Sequence, residues 1–224
     1  MIYTISTLFL DKISVSKEKG AQMKTIKLNN QEINVSKIVC VGRNYVEHIE
    51  ELGNETPESI VLFNKPNSAI SNDLKYFSSD TRFEGEICFL IKDSKINAVA
   101  FGLDLTKADT QGYLKKKGLP WERAKAFDGS AVFSDFVELD CKLEELRMEL
   151  YINDKLIQHA SYDLMIHKPL NVLNEIKSFM SLDDGDIIMS GTPKGVSTYK
   201  LADVFVGKVF CNDELLVSKT WKVI

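Results

Sequence analysis

The hydrophobic positions of this chain fall mostly in short, dense runs. Lys37–Val41, Ile60–Phe63, Glu84–Ile91, Ala98–Leu103, Arg147–Ile152, Asp186–Ser190, Val204–Phe210 and Leu215–Val223 are rich in β-branched and aromatic residues and bounded by Gly, Asn, Asp or Pro. That combination reads as strands. Asn153-Asp154 and Asn212-Asp213 each separate two such runs, as the turn of a tight hairpin does. MKTIKL, opening at Met23, is a further strand. Helical spacing is rarer. Leu170, Leu173, Ile176, Phe179 and Met180 share one face of Leu170–Met180, with Pro169 at its start. Asp109–Lys117 reads as a second helix closed by Gly118 and Pro120, and Tyr45–Leu52 has room for two turns. Strands and helices do not alternate, which argues against a Rossmann or TIM fold. An α+β, mainly-β class fits better.

Composition narrows the functional classes. The chain has 224 residues, 44% of them hydrophobic and 27% charged, enough to bury a core without staples. Its net charge of −4 argues against a broad grip on nucleic acid but leaves a small anionic substrate open. No apolar run approaches the roughly 18 residues of a membrane span. Cys40, Cys88, Cys141 and Cys211 show no metal-finger spacing and read as free thiols in a reducing cytoplasm. There is no P-loop and no GxGxxG, and Gly191-Thr192-Pro193 implies no nucleotide. The apolar stretch Ile2–Leu10 lacks the basic flank and cleavage site of a signal peptide. Residues 1–22 are therefore read as an extension without chemistry ahead of a start at Met23, and residues 23–224 as a single domain.

The sharpest local feature is Glu84-Gly85-Glu86 inside FEGEICFLI. In a strand, residues two apart face the same way, so the two carboxylates project side by side, with Cys88 on their face and Phe83, Ile87 and Phe89 on the other. Such a pair is tolerable in water or around a cation, and a solvated edge strand is the plainer alternative. Asp104, at the end of the apolar run VAFGLD, adds a third carboxylate. An oxygen-only set suits Mg²⁺, Mn²⁺ or Ca²⁺ rather than zinc.

Six ordered stretches between about residues 37 and 200 resemble the fumarylacetoacetate hydrolase family. They are IVCVGRNYVEHIEEL, VLFNKPNSAI, RFEGEICFLI, LDLTKADTQ, KKKGLPWERAKAFDGSAVFS and GDIIMSGTPKGV. The fifth and sixth are especially similar to the acylpyruvate hydrolase and oxaloacetate decarboxylase branch. The resemblance implies a β-rich roll or sandwich with a few short helices, a homodimer, and a site for Mg²⁺ or Mn²⁺. It implies Glu84, Glu86 and Asp104 as metal ligands, His48 and Glu51 as a catalytic dyad on a short mobile lid, and Lys125 as a substrate-contacting lysine. Lys65, Gln111 and Thr192 fall where the family contacts substrate, and Arg43 and Tyr45 fill the GRNY motif. The turn at Gly191 and Thr192 offers backbone N–H groups to a substrate carboxylate.

His48 and Glu51 are three apart, so on a helix they share a face. By itself the pair reads as a surface contact; the resemblance makes it a dyad in which Glu51 fixes the imidazole tautomer. One position departs from the family pattern D-x-T-A-R-D-x-x-Q. Ala108 stands where the arginine is usual, and Lys107 lies one residue earlier, turned by about 100° on a helix. That arginine resembles a clamp for a second substrate carboxylate, and a lysine does not reproduce its fork. The expected activity is therefore metal-dependent C–C hydrolysis of small 2,4-dioxo acids (acylpyruvates), releasing pyruvate through an enolate. Oxaloacetate decarboxylation and oxo-acid tautomerisation, which form the same enolate, are the alternatives, followed by non-catalytic binding. His159 and His167 read as solvent-facing or capping residues, Lys115–Lys117 as a solvated helix face, and Trp121 as a core or dimer contact.

Overall fold

Paired Asn, Asp and Ser residues at positive φ close the hairpins from which the sheets are built. Asn153 and Asp154 join Leu146–Ile152 to Lys155–Ser161 with φ of 49° and 65°. Such a pair matches the right-handed twist of the strands it joins. Asp93-Ser94 and Asn29-Asn30 close two further hairpins in the same way, and Asn212 opens a fourth. The computed structural model describes residues 23–51, 53 and 57–224. The expectation about residues 1–22 lies outside them.

The main sheet has eight strands. Its order is Val61–Pro66, Lys37–Gly42, Ile187–Met189, Gly85–Lys92, Lys95–Asp104, Ala131–Phe133 and Ile70–Ser71, with Val137–Glu138 also on Lys95–Asp104. A second sheet of four strands runs Lys155–Ser161, Leu146–Ile152, Val204–Cys211 and Glu214–Lys222. Two small sheets, Thr25–Leu28 with Gln31–Asn34 and Ser197–Thr198 with Thr81–Phe83 and Thr106–Lys107, accompany four α-helices in the described fold: α1 (Val46–Glu51), α2 (Ala108–Lys117), α3 (Glu122–Lys125) and α4 (Pro169–Phe179). This is the mainly-β, α+β class expected from the sequence.

Both faces of the main sheet are buried, which explains why its strands read as continuous apolar runs. Ile87, Phe89, Val99, Phe101 and Leu103 pack on Leu146, Leu150, Phe205 and Trp221 of the second sheet and on Val172, Leu173 and Ile176 of α4. Cys40, Cys88, Leu90, Ala98 and Met189 face a second core closed by Ile26, Leu28 and Phe136. Two expectations need correction. Leu170 and Phe179, assigned to the buried face of α4, are exposed, because Val172 shifts the packed stripe around the helix. Cys141 and Cys211 are joined by a disulfide; only Cys40 and Cys88 are free thiols. The loop bearing Cys141 folds over the end of strand Val204–Cys211, bringing two residues 70 apart in sequence to a Cα separation of 6.7 Å.

The sheets meet most closely at Gly207. A Cβ there would lie 2.2 Å from the Phe101 ring, which packs against Trp221 at 6.1 Å between centroids. Gly207→Ala is expected to destabilise the fold by about 2 kcal/mol through overpacking, a loss of roughly 4–8 °C in Tm for a domain of this size. In a Phe101→Leu background the same substitution is expected to cost less. Thermal melts of the four proteins check both statements, and equal costs in the two backgrounds would contradict the clash.

Candidate metal and substrate site

Antiparallel pairing assembles the acidic centre. Strand Gly85–Lys92 runs against Lys95–Asp104 with Gly85 opposite Leu103 and Glu86 opposite Gly102. The Asp104 N–H donates to the Glu84 carbonyl at 2.9 Å. Glu84, Glu86 and Asp104 each offer an oxygen within 4.8 Å of the other two. Glu86 and Asp104 are buried. Glu84 is the partly open member, with 15% of its side chain exposed against 1% for Asp104.

Two lysines reach into this cluster. Lys125, the last residue of α3, places Nζ 2.7 Å from Glu84 Oε2, 2.8 Å from Asp104 Oδ2 and 2.5 Å from Thr106 Oγ1. Thr106 in turn donates to Glu84 Oε1 at 2.8 Å. Lys65 is fully buried beneath, 2.8 Å from Asp104 Oδ1, and donates to Ser130 Oγ and the Lys125 carbonyl. Its ammonium is thus committed to the protein rather than held out to a substrate. Three carboxylates against two ammoniums leave one negative charge.

The excess falls on Glu86. Burial pushes its carboxyl well above the usual value, and Asp104 and Glu84 push it further; the Gly191 N–H at 2.7 Å and Lys125 only partly offset them. Burial raises Glu84 too, but the Lys125 charge and hydrogen bond, helped by His48 and Thr106, hold it below the usual carboxylate value. Lys125 is raised despite its burial, because Asp104 and Glu84 hold its proton. Asp104 Oδ1 lies beside Lys65 yet out of hydrogen-bonding alignment. A buried all-oxygen set short of positive charge fits a hard divalent cation such as Mg²⁺ or Mn²⁺. Cys141, Glu145 and Cys211 also cluster, but their two sulfurs are bonded to each other.

α1 carries the imidazole to this centre. His48 is buried and lies within electrostatic reach of Glu84. Its Nδ1 lies 3.3 Å from Glu51 Oε2. Glu51 also accepts the Gly195 N–H at 3.0 Å, and Glu47 pairs with Lys194 at 3.0 Å, so the helix is docked on the GTPKGV loop. Gly191 and Thr192 of that loop do not present themselves as expected. The Gly191 N–H is spent on Glu86. The Thr192 hydroxyl donates to the Gly85 carbonyl and accepts from Gln158. Both fasten the strand that carries the glutamates. Gly191 holds φ 94°, and a Cβ there would meet Asn44 at 2.8 Å.

Of the remaining predicted residues, Arg43 is half-buried at φ 57°, and Tyr45 is buried with its phenol pushed up by burial and Glu86. Gln111 is half-buried on α2. Lys107 stands before α2 in extended backbone rather than on the helix, and its Nζ lies 4.4 Å from the Phe127 ring centroid. Lys115 is not part of a solvated face: it is half-buried, 5.1 Å over the Trp121 ring, whereas Lys116 and Lys117 are exposed. His159 is exposed and His167 half-buried. Sequence reasoning missed Thr106, Ser130, Gln158 and Asn44. Buried Asn44 ties the loop of Tyr45 to the carbonyls of Ser190 and His167. Thr106, Ser130 and Asn44 lay in the LDLTKADTQ, KKKGLPWERAKAFDGSAVFS and GRNY stretches; nothing in the chain marked Gln158.

The β-rich scaffold thus holds three carboxylates on paired strands, threaded by two lysines and faced by a His–Glu pair, a donor set that could hold a hard cation. The chain belongs to the fumarylacetoacetate hydrolase family: residues 37–214 match the family described as "Fumarylacetoacetate (FAA) hydrolase C-terminal". It is 36% identical over 188 residues to the oxaloacetate tautomerase YcgM of Escherichia coli, covering 75% of this chain and 86% of that protein. The mitochondrial oxaloacetate tautomerase of Bos taurus is 34% identical, over 74% and 83% of the two chains. A yeast fumarylacetoacetate hydrolase family protein superposes with a TM-score of 0.73 at 27% identity, over 84% and 93%. A fumarylpyruvate hydrolase from Pseudomonas aeruginosa, solved with Mn²⁺ and pyruvate, superposes at 0.81 over 90% and 95%; at 24% identity that likeness speaks for the fold. No described helix is long and apolar enough to cross a membrane.

The charge imbalance gives a stability prediction. The Glu86 carboxyl is raised in the folded state, so it stabilises the metal-free fold at low pH, and that contribution is lost as pH rises above the unfolded-state value. In chelator at neutral pH, Glu86→Gln is expected to melt a few degrees above the parent, about what 1 kcal/mol does in a domain of this size. Adding Mn²⁺ is expected to raise the parent melt and leave the variant nearly unmoved. Thermal melts with and without Mn²⁺ read both, and a variant less stable than the parent in chelator contradicts the assigned imbalance.

Proposed function

We propose that the protein is a divalent-metal-dependent enzyme that interconverts keto and enol forms of short 2-oxo acids, with oxaloacetate as the substrate type. The observation that carries this reading is the Lys125 ammonium, held between Glu84 and Asp104 at 2.7 and 2.8 Å in a buried cluster beside His48. The oxaloacetate tautomerases at 36% and 34% identity support it over the hydrolase activity expected from the sequence.

Glu84, Glu86 and Asp104 would hold Mg²⁺ or Mn²⁺, which when bound supplies Lewis-acid stabilisation of negative charge on a 2-oxo oxygen. The raised Lys125 stays charged, with its three protons on Glu84, Asp104 and Thr106, and favours negative charge on that oxygen through its field rather than as a proton source. Glu51, accepting from Nδ1–H, leaves Nε2 of His48 as the basic nitrogen. His48 takes a proton from the carbon between the 2-oxo and distal carbonyl groups, and the imidazolium so formed gives that proton to the 2-oxo oxygen. The reverse sequence restores the ketone. Lys65 stays beneath and keeps the pocket from excess negative charge.

The His–Glu pair also favours a second reading, hydrolysis of acylpyruvates. There His48 takes a proton from water, the hydroxide adds to the distal carbonyl, and the C–C bond breaks. Its electron pair stays on the carbon that becomes the methyl group of pyruvate. An ultraviolet assay of enol-oxaloacetate with Mg²⁺ or Mn²⁺, run beside pyruvate release from acetylpyruvate, separates the two. The expected result is faster enol–keto equilibration that falls at least ~100-fold in His48→Ala and is lost in chelator. Pyruvate release from acetylpyruvate without faster equilibration replaces the first reading with the second, and inertness toward both overturns both.

A further inference from the structure

The family arginine is absent at Ala108, and Lys107, its chain neighbour, is turned onto Phe127. α2 nevertheless offers a cation. Ala108, Gln111 and Lys115 are spaced three and four apart, so they share one face of the helix. All three are half-buried, whereas Asp109, Gly112, Tyr113, Lys116 and Lys117 are exposed. α2 packs on α3, whose preceding residue Trp121 lies under the Lys115 ammonium at 5.1 Å. Trp121 meets Phe63 at 5.8 Å between centroids, and Lys125 Nζ lies 5.1 Å from Phe63. Trp121 and Phe63 therefore connect the ammonium of Lys115 to the one that holds the carboxylates by successive ring contacts.

Lys115 has no ion-pair partner among the described residues. Its surroundings are mainly positive. Burial lowers its pKa, and the charges of Arg43, Lys125 and Arg82 lower it further; only Glu84 acts the other way. A half-buried, unpaired ammonium in such a field is stabilised by an arriving anion. Ala108 lies two turns before Lys115 on the same helix face, and a methyl group there leaves open the space a long side chain would fill.

We infer that Lys115, rather than Lys107, receives the distal carboxylate of the substrate and makes this site select 2-oxo dicarboxylates over 2-oxo acids with neutral tails. The inference rests on the reading of the centre as a 2-oxo acid site, and pyruvate separates the two because it has the oxo-acid head without a distal carboxylate. Calorimetric titration of the Mg²⁺-loaded protein with pyruvate and with oxaloacetate is the test, on the parent, Lys115→Met, Lys115→Arg and Lys116→Met. The parent is expected to bind oxaloacetate at least ~10-fold more tightly than pyruvate, the scale of one charge-assisted contact. Lys115→Met is expected to lose that preference while its pyruvate affinity stays within about twofold. Lys115→Arg should retain most of it, and Lys116→Met all of it. A parent without the preference, or a Lys115→Met protein that keeps it, overturns the assignment of Lys115 while leaving the oxo-acid reading in place. Failure of both ligands to bind the parent overturns that reading and the inference with it.

Discussion

Burying three carboxylates on two paired strands is the constraint around which the rest of this structure is arranged. An isolated charge in a protein interior is costly, and a buried ion pair is compensated only when its geometry is close and its remaining donors and acceptors are filled. Lys125 meets that condition by contacting Glu84, Asp104 and Thr106 at once, with Thr106 turning its own proton back to Glu84. Lys65 does the same from below, where Ser130 and the Lys125 carbonyl take its other protons. The cluster is therefore held together before any ligand enters, and Glu86 is the carboxyl whose ionisation its surroundings oppose most.

A second layer keeps those strands in place. Gln158 accepts from the Gly85 N–H and donates to Thr192, whose hydroxyl returns to the Gly85 carbonyl, closing a buried loop of bonds around the glutamate strand. Asn44 joins the loop before α1 to the strand end that precedes Gly191. Through these contacts one backbone segment, Ser190 to Gly195, touches Glu86, Thr192's partners and the Glu51 carboxylate. Any displacement of that segment moves both the metal-type ligands and the imidazole.

The sequence made the strands and the acidic pair legible because both depend on a period of two, and Asp104 because it ends an apolar run. The neutralising geometry was not legible: Lys65 and Lys125 come from elements 60 residues apart, and only sheet order brings them to the same carboxylate. Family resemblance named those lysines but assigned Lys65 to substrate, where burial commits it to the protein. Gln158 carried no signal, and the GRNY motif gave Asn44 no role, since a buried amide looks like any polar residue until its partners are in place. The Cys141–Cys211 pairing failed for the same reason, being set by a loop folding over a distant strand.

The missing arginine changes meaning once the charges are placed. Read along the chain, Ala108 removes a clamp and points to neutral-tailed substrates. In three dimensions, the centre has two resident ammoniums, so with a dication it carries a net positive charge, and the field toward α2 is positive as well through Arg43, Arg82 and Lys115. Loss of one guanidinium from such a rim shortens the list of partners for an anion without reversing the sign of the field. Specificity for a second carboxylate can then be carried from two turns further along the same helix face. On the proposed function, enolate formation is common to tautomerisation, decarboxylation and hydrolysis, so this outer charge, rather than the acidic centre, would set which oxo acid is held long enough to react.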